Sequence, residues 1–189
     1  MKTLAILLMS STMALLFAGP ARAQSKFELF AGYSNVNVPV VAGGPLFPCT
    51  TNPPSCPPAQ VIGLTNANGW EVSGVWKASR WLGLKADFAG HYTPAFVGST
   101  SFNSFLFGPQ VSFPGRISPF AHALLGLSHQ SQAGGFSANT FAAAIGGGVD
   151  FKVSRFVSLR FVQVDYYLTR YIGFSQNEVR FSTGVVLHF

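Results

Sequence analysis

Residues 179–189 alternate between large apolar side chains and polar or small ones with a period of two. One row consists of Val179, Phe181, Thr183, Val185, Leu187 and Phe189. The other row consists of Arg180, Ser182, Gly184, Val186 and His188. This period is typical of a β-strand with one face in apolar surroundings. A shift by one residue would move Arg180 onto that apolar face, so the pattern also specifies register.

The same alternation recurs along the chain and predicts eight strands. We place them at residues 25–37, 68–77, 81–92, 102–112, 118–128, 140–150, 157–169 and 178–189. The connections 78–80, 113–116 and 151–156 are short, whereas 38–67, 93–101, 129–139 and 170–177 are longer and polar. An even number of strands, with short turns at one end and longer loops at the other, is the layout of an outer-membrane barrel.

The composition favours membrane strands over a soluble domain. Only 10% of the residues are charged and 48% are hydrophobic, whereas soluble domains carry about 25% charged residues. After residue 20 no run of about 18 apolar residues occurs, so helical spans are not expected. We therefore predict an all-β, eight-stranded antiparallel up-and-down transmembrane β-barrel over residues 24–189. The alternative is a soluble, lipocalin-like barrel, which would turn its apolar side chains inward.

The N-terminus has the features of a secretory signal peptide. Lys2 supplies a positive charge, residues 4–17 are apolar, and Ala21-Arg22-Ala23 fits a cleavage site. The apolar stretch is short for a membrane anchor. We expect residues 1–23 to be removed, which places the remaining chain in an oxidising compartment.

A proline-rich segment follows the first predicted strand. Seven of the twelve prolines lie in it: Pro39, Pro45, Pro48, Pro53, Pro54, Pro57 and Pro58. Because proline disrupts both helices and β-ladders, we expect residues 39–67 to form one long external loop. A disulfide between Cys49 and Cys56 is favoured there over a metal site, because no histidine is nearby.

All six acidic residues fall in predicted strands. A carboxylate in lipid is costly, so we expect these residues to point into the lumen and to pair there with basic residues. The predicted lumen charge network comprises Glu28, Glu71, Lys77, Lys85, Asp87, Arg160, Asp165, Glu178 and Arg180. Since eight strands enclose an interior that side chains just fill, we expect a structural plug rather than a wide channel. The glycines at 146–148 are expected to make room for inward Arg and Lys side chains.

Some residues depart from the regular pattern. In the seventh strand Gln163 and Asp165 take the parity of apolar residues, which predicts a β-bulge near Val162. Pro109 and Pro119 would disturb a ladder, and we expect them at the rim beside a short turn.

Aromatic residues near strand ends are expected at the membrane interfaces. They are Trp70, Trp76, Trp81, Tyr92, Tyr166 and Tyr171.

Several segments together carry a resemblance to a known family. They are Phe27-Glu28-Leu29-Phe30-Ala31-Gly32-Tyr33-Ser34, Gly69-Trp70-Glu71, Trp81-Leu82-Gly83-Leu84-Lys85-Ala86-Asp87-Phe88, Phe105-Leu106-Phe107-Gly108-Pro109 and the final Phe189. Residues 24–189 resemble the small OmpA-like, OmpX-type outer-membrane β-barrels of Gram-negative bacteria. The resemblance implies a cell outer-membrane location, periplasmic termini, and recognition of Val185, Leu187 and Phe189 by the barrel-assembly machinery. It covers the barrel only, so the peptidoglycan-binding domain of full-length OmpA is not expected.

The resemblance implies a barrel without a catalytic site, with a structural or surface-interaction role. The enzymatic alternative is a lipid A deacylase-type hydrolase, because such barrels use a His-x-Ser pair and His129-Gln130-Ser131 is similar to it. A triad also needs a carboxylate to orient the histidine. No Asp or Glu lies between Asp87 and Asp150, and we expect His129 and Ser131 in a polar external loop.

We expect no metal, cofactor or nucleic-acid site. The remaining histidines, His91, His122 and His188, do not converge by strand parity. Basic residues in the short turns lack interleaved aromatics and are expected to meet anionic lipid headgroups instead. They are Arg80, Arg116, Lys152 and Arg155. The expected partners are outer-membrane lipids and lipopolysaccharide, the assembly machinery during insertion, and an unidentified external ligand of the loops, with the chain as a monomer.

Overall fold

Eight β-strands make up the molecule in the computed structural model, which describes residues 26–42, 60–93, 100–132, 136–171 and 174–189. The strands are β1 (Phe27–Ala42), β2 (Gln60–Lys77), β3 (Leu82–Thr93), β4 (Thr100–Ser112), β5 (Ile117–Gln132), β6 (Phe136–Lys152), β7 (Val157–Tyr171) and β8 (Phe174–His188). Within the described ranges, no helix is long and apolar enough to cross a membrane. The predicted signal peptide, Cys49 and Cys56 lie outside the described residues.

Each strand pairs antiparallel with the next one along the chain, and β1 pairs with β8 to close the barrel. At this closure Glu28 lies opposite His188, and Asn37 lies opposite Val179. The predicted fold class, an eight-stranded antiparallel up-and-down barrel, is confirmed. We call the end that carries the connections 78–81, 113–116 and 153–156 the turn end, and the opposite end the loop end.

Side chains alternate along each strand between the outer surface and the lumen. Phe181, Val185 and Leu187 face outward and remain 43%, 40% and 38% exposed. Glu28 and Arg180, on the other row, are buried in the lumen. The predicted distribution of apolar and charged residues is confirmed, and the lipocalin-like alternative is wrong.

The strands continue further towards the loop end than the sequence pattern predicts. β1 ends at Ala42 and β2 begins at Gln60, so residues 39–67 do not form one continuous loop. Likewise β5 continues to Gln132, which places His129 and Ser131 in a strand rather than in a loop. The β1 extension contains a proline and the β5 extension is polar, but the ladder consists of backbone hydrogen bonds and does not depend on apolar alternation.

The prolines fit the sheet where one ladder is absent or interrupted. Pro39 pairs with Leu64 of β2, beyond Asn37, the last residue of β1 that pairs with β8. It therefore occupies an edge, where proline is tolerated.

Pro109 lies near the turn end as predicted, and the β4–β5 ladder has a gap at this position because proline has no N–H to donate. Pro119, also near that turn, accepts a hydrogen bond from Phe113 N at 2.9 Å.

The predicted β-bulge is confirmed in β7. Arg160 pairs with Gly184 of β8 and Gln163 with Ser182, so two residues of β7 lie opposite the single Thr183. Phe161 and Val162 both face outward, and Gln163 returns to the lumen. The Thr183 Oγ1 donates to the Arg160 carbonyl at 2.9 Å, which satisfies an acceptor that the bulge removes from the ladder.

Candidate functional site: the charged lumen

Three carboxylates and two basic side chains meet in the middle of the lumen. Glu71 comes from β2, Lys85 and Asp87 from β3, Asp165 from β7 and Arg180 from β8. All five side chains are completely shielded from solvent. We call these five residues the central cluster. Four strands contribute to it, so it forms only when the barrel is closed.

The Arg180 guanidinium bridges two carboxylates of the central cluster. Its Nη1 and Nη2 donate to Asp87 Oδ1 and Oδ2 at 3.0 and 3.2 Å. Its Nε and Nη2 donate to Asp165 Oδ2 at 2.9 and 2.6 Å. A planar guanidinium suits this arrangement, because its donors can address carboxylates on two sides in one plane.

Glu71 is bound by several side chains. The Lys85 ammonium lies 3.3 Å from Glu71 Oε1 and also 3.0 Å from Asp87 Oδ2. Ser182 Oγ donates to Glu71 Oε2 at 2.6 Å, and Gln163 Nε2 donates to Oε1 at 3.0 Å. Arg180 Nε also lies 3.8 Å from Glu71 Oε2, so two cations and two neutral hydrogen bonds compensate this buried carboxylate.

Gln163 joins the central cluster to a second ion pair nearer the turn end. Its Nε2 donates to Asp165 Oδ2 at 2.7 Å, and its Oε1 accepts from Arg160 Nη1 at 2.7 Å. Arg160 in turn binds Asp150 through two parallel hydrogen bonds, with Nε to Oδ1 at 2.8 Å and Nη2 to Oδ2 at 3.0 Å. The bulge is what turns Gln163 inward, so this connection depends on it.

Arg160 lies between two aromatic rings inside the barrel. Its guanidinium carbon is 4.3 Å from the ring centre of Phe30 and 4.1 Å from that of Phe120. A side chain at Gly148 would collide with the Phe120 ring, and one at Gly146 would collide with the Asp165 carboxylate. The expectation that these glycines make room for Arg and Lys side chains is therefore wrong in its detail: the neighbours are a ring and a carboxylate.

A separate group of polar side chains lies at the turn end. Glu28 Oε1 is 2.7 Å from Lys77 Nζ and 3.0 Å from His188 Nδ1. The other ring nitrogen of His188 is 2.7 Å from Ser158 Oγ. A cavity of about 240 Å³ opens beside this group, with Asp150, Lys152 and Phe120 also in its lining.

Glu178 lies in the lumen but apart from the other charges. It is only 9% exposed and borders a small cavity of about 20 Å³ with Val36, Val38 and Phe102 at the loop end. No ion pair forms to it from any base in the described ranges. Among the described side chains no ion pair joins it to Arg180 or Lys85, so the predicted charge network does not extend to Glu178.

His122 approaches the central cluster without joining its hydrogen bonds. Its Nε2 is 2.9 Å from Asp165 Oδ1, but neither atom has a partner with hydrogen-bond geometry. In the described part of the chain no group of three or more His, Cys, Asp or Glu residues could hold a metal ion.

The predicted charge network did not include Asp150 and Gln163. In the structure Asp150 binds Arg160, and Gln163 binds both Arg160 and Asp165. The inward parity of Gln163 was the available signal.

The His-x-Ser pair is on the outer surface of β5. His129 Nδ1 is 2.7 Å from Asn139 Oδ1 on the neighbouring strand, and no hydrogen bond joins it to Ser131. All six carboxylates face the lumen, behind the barrel wall. The orienting carboxylate that a hydrolase triad requires is therefore out of reach of His129.

Val185, Leu187 and Phe189 form an outward-facing row on the last strand. The Phe189 ring lies 6.4 Å from that of Phe27 across the β1–β8 closure, measured between ring centres. The row is thus available on the outer surface at the junction that closes the barrel.

Taken together, the closed eight-stranded sheet, the apolar outer surface and the charged lumen define the fold of the small outer-membrane β-barrels. Solved structures with this fold are similar to the chain over nearly its whole length. Neisserial surface protein A has a TM-score of 0.65 at 15% identity, covering 89% of this chain and 100% of its own. Ail, the attachment invasion locus protein of Yersinia pestis, has a TM-score of 0.56 at 16% identity, covering 88% and 99%. OprG from Pseudomonas aeruginosa has a TM-score of 0.55 at 10% identity, covering 88% and 97%.

These likenesses establish the fold. No protein-family model matches the sequence, and no curated protein matches it either.

Proposed function

We propose that the protein is an integral β-barrel of the bacterial outer membrane with a structural or surface-interaction role and no catalysis. The observation that carries this proposal is the distribution of side chains, which is the opposite of that in a soluble protein. Large apolar residues are exposed on the outer surface, and charged residues are buried in the lumen. The exposed set on the outer surface of the wall includes Leu84, Phe88, Phe105, Phe107, Leu125, Phe141, Ile145 and Phe161. A surface of this kind is stable against acyl chains and unstable in water.

The central cluster supports a closed lumen in this proposal. The five side chains of the central cluster and Gln163 lie in the lumen between the cavities of the two ends. They bind one another rather than line a water-filled passage. We expect no steady single-channel current from the folded protein in a planar bilayer, and well-resolved conductance steps would contradict the plug.

The orientation follows from the general layout of such barrels, with short turns in the periplasm and longer loops outside. An epitope inserted in residues 43–59 should then be labelled by antibody on intact cells. The same epitope in the turn 113–116 should be labelled only after the outer membrane is permeabilised. The reverse result would contradict periplasmic termini.

Membrane insertion is tested by fractionation together with gel mobility. The folded protein should sediment with outer membrane, resist SDS at room temperature and change its mobility only after boiling. Recovery from the soluble periplasmic fraction, without a heat-dependent shift, would contradict the proposal.

A role at the cell surface is supported by two of the proteins of similar structure, Neisserial surface protein A and the attachment invasion locus protein Ail. The partners that we propose are the lipids of the membrane, lipopolysaccharide included, the assembly machinery through the row Val185, Leu187 and Phe189, and an external ligand of the loops.

The deacylase alternative has no support in the surroundings of His129. Overexpression should leave lipid A unchanged, with or without Ser131→Ala, and loss of an acyl chain that depends on Ser131 would revive it.

A further inference from the structure

The basic residues of the barrel are distributed very unevenly between its two ends. After the predicted signal peptide the sequence contains ten Lys and Arg residues. Four of them, Lys77, Lys85, Arg160 and Arg180, point into the lumen and pair there with carboxylates. Five others lie at the turn end: Lys26, Arg80, Arg116, Lys152 and Arg155. We call these five residues the basic rim.

No ion pair among the described side chains joins a residue of the basic rim to a carboxylate. All six carboxylates face the lumen, and the two nearest the turn end, Glu28 and Asp150, are bound to Lys77 and Arg160. All five side chains of the rim are exposed. The turn end therefore exposes five basic side chains, of which Lys152 and Arg155 border the cavity at the mouth of the lumen.

Two of the rim guanidiniums lie over aromatic rings. Arg116 is 5.4 Å from the ring centre of Phe151, which itself packs edge-on against the outward-facing Phe161. Arg155 is 4.6 Å from the ring centre of Phe156. These cation–π contacts hold the two guanidiniums beside the barrel wall at the turn end.

The loop end differs in charge. By sequence, the connections 43–59, 94–99, 133–135 and 172–173 contain no Lys or Arg, and Arg170 is the single base in the outer parts of the strands. The electrostatic attraction of the barrel for anionic lipid is thus concentrated at one end.

From this distribution we propose that the basic rim binds anionic phospholipid headgroups of the leaflet that surrounds the turns. The proposal rests on the membrane-barrel function and specifies the lipid class. Each exposed base near an anionic surface adds a favourable interaction that decays within a Debye length. In the orientation given above, this leaflet is the periplasmic one.

The test uses quenching of Trp81, which is exposed beside Arg80 at the turn end. A variant with Trp70→Phe and Trp76→Phe keeps Trp81 as the only tryptophan. It is folded into vesicles in which phosphatidylglycerol or phosphatidylcholine, with identical brominated chains, replaces part of a non-brominated lipid. At low salt we expect an apparent preference for phosphatidylglycerol of about threefold or more. The preference should fall towards one in 0.5 M salt, since the Debye length is then only about 4 Å.

Matched Arg→Gln substitutions at the two ends of the barrel show which end causes the lipid preference. Arg80→Gln should lower the preference, and combining it with Arg116→Gln, Lys152→Gln and Arg155→Gln, which leaves only Lys26 of the rim, should bring it close to one. Arg170→Gln removes the same charge at the loop end and should leave the preference unchanged. Equal quenching by both lipids in the parent variant, or a preference that survives all four substitutions, would overturn the proposal. Quenching by neither lipid would contradict membrane insertion itself, and this proposal with it.

Discussion

Asp165 and Arg180 lie directly opposite each other on β7 and β8, and the Arg180 Nη2 donates to Asp165 Oδ2 at 2.6 Å in the middle of the barrel. The same guanidinium reaches across the lumen to Asp87 on β3. One side chain therefore connects the cross-strand pairing of the last hairpin with a strand on another part of the wall. The stability of the barrel is expected to depend strongly on this single cation.

Arg180→Leu should lower the free energy of unfolding by about 3–5 kcal/mol, because it leaves the buried carboxylates Asp87 and Asp165 without their main partner. Urea unfolding in lipid vesicles, followed by tryptophan fluorescence, measures the change. Lys77→Leu is the matched control at the partly exposed turn end, where Glu28 keeps His188. We expect a smaller loss there than for Arg180→Leu, because Lys77 pairs with one carboxylate and that carboxylate retains a second partner. Equal losses for the two variants would contradict a dominant role for Arg180.

The sign of a second substitution should depend on Arg180. In the parent protein Asp165→Asn removes a charge that Arg180 compensates, so it should destabilise the barrel. In the Arg180→Leu variant the same change removes an uncompensated buried charge and should stabilise it. A double-mutant cycle from the same urea measurements gives the interaction free energy. Simple additivity would show that the two side chains are energetically independent.

The bulge can be tested by deleting a residue. Removing Val162 leaves Arg160 inward, Phe161 outward and Gln163 inward, so β7 becomes a regular strand with every face preserved. We expect this variant to fold and to keep its heat-modifiable migration. Removing Val72 from β2, where the register is regular, puts neighbouring residues on the wrong face and should prevent folding. If both deletions were equally harmful, the bulge would not be the extra residue that the register indicates.

The strand faces and the bulge could be predicted from sequence because misplacing a charge in lipid is costly. Glu28 and Arg180 leave little choice of face, and the parity of Gln163 and Asp165 requires an extra residue. The strand extensions at the loop end could not be predicted, because residues such as His129 and Ser131 are polar on a face that the sequence pattern treats as apolar. Backbone pairing continues there without any signal in side-chain polarity.

Contacts across the lumen could not be predicted from the sequence pattern either. Parity places Arg160 inward, but the stagger of the closed barrel decides that it meets Phe30 and Phe120. The same holds for Glu178, whose face is predictable and whose place beside a small cavity at the loop end is not.

Gly146 tests the packing around the central cluster. A Cβ there would collide with the Asp165 carboxylate and with the Val164 carbonyl. Gly146→Ala should therefore destabilise the barrel by about 1–3 kcal/mol. At Gly63 an added Cβ meets nothing within 4 Å, so Gly63→Ala serves as the control and should be close to neutral. Unfolding midpoints that do not differ between the two variants would mean that the lumen can relax around the extra methyl group.

A charge on the outer surface should be costly in proportion to its depth. Leu125→Arg, near the middle of β5, should lower the free energy of unfolding in vesicles by about 2–4 kcal/mol. Phe113→Arg, in a turn, should cost about 0–1 kcal/mol, because the arginine lies at the interface. A larger loss at Phe113 than at Leu125 would contradict the position assigned to the membrane.

The central claim, that the apolar outer surface faces acyl chains, is tested most directly by a nitroxide spin label on Leu125→Cys in a background with Cys49→Ser and Cys56→Ser. Its collision rates with oxygen, which dissolves in lipid, and with a nickel chelate, which stays in water, are compared in vesicles. We predict a high oxygen rate and a very low nickel rate. A high nickel rate, or a label inaccessible to both reagents, would contradict the account.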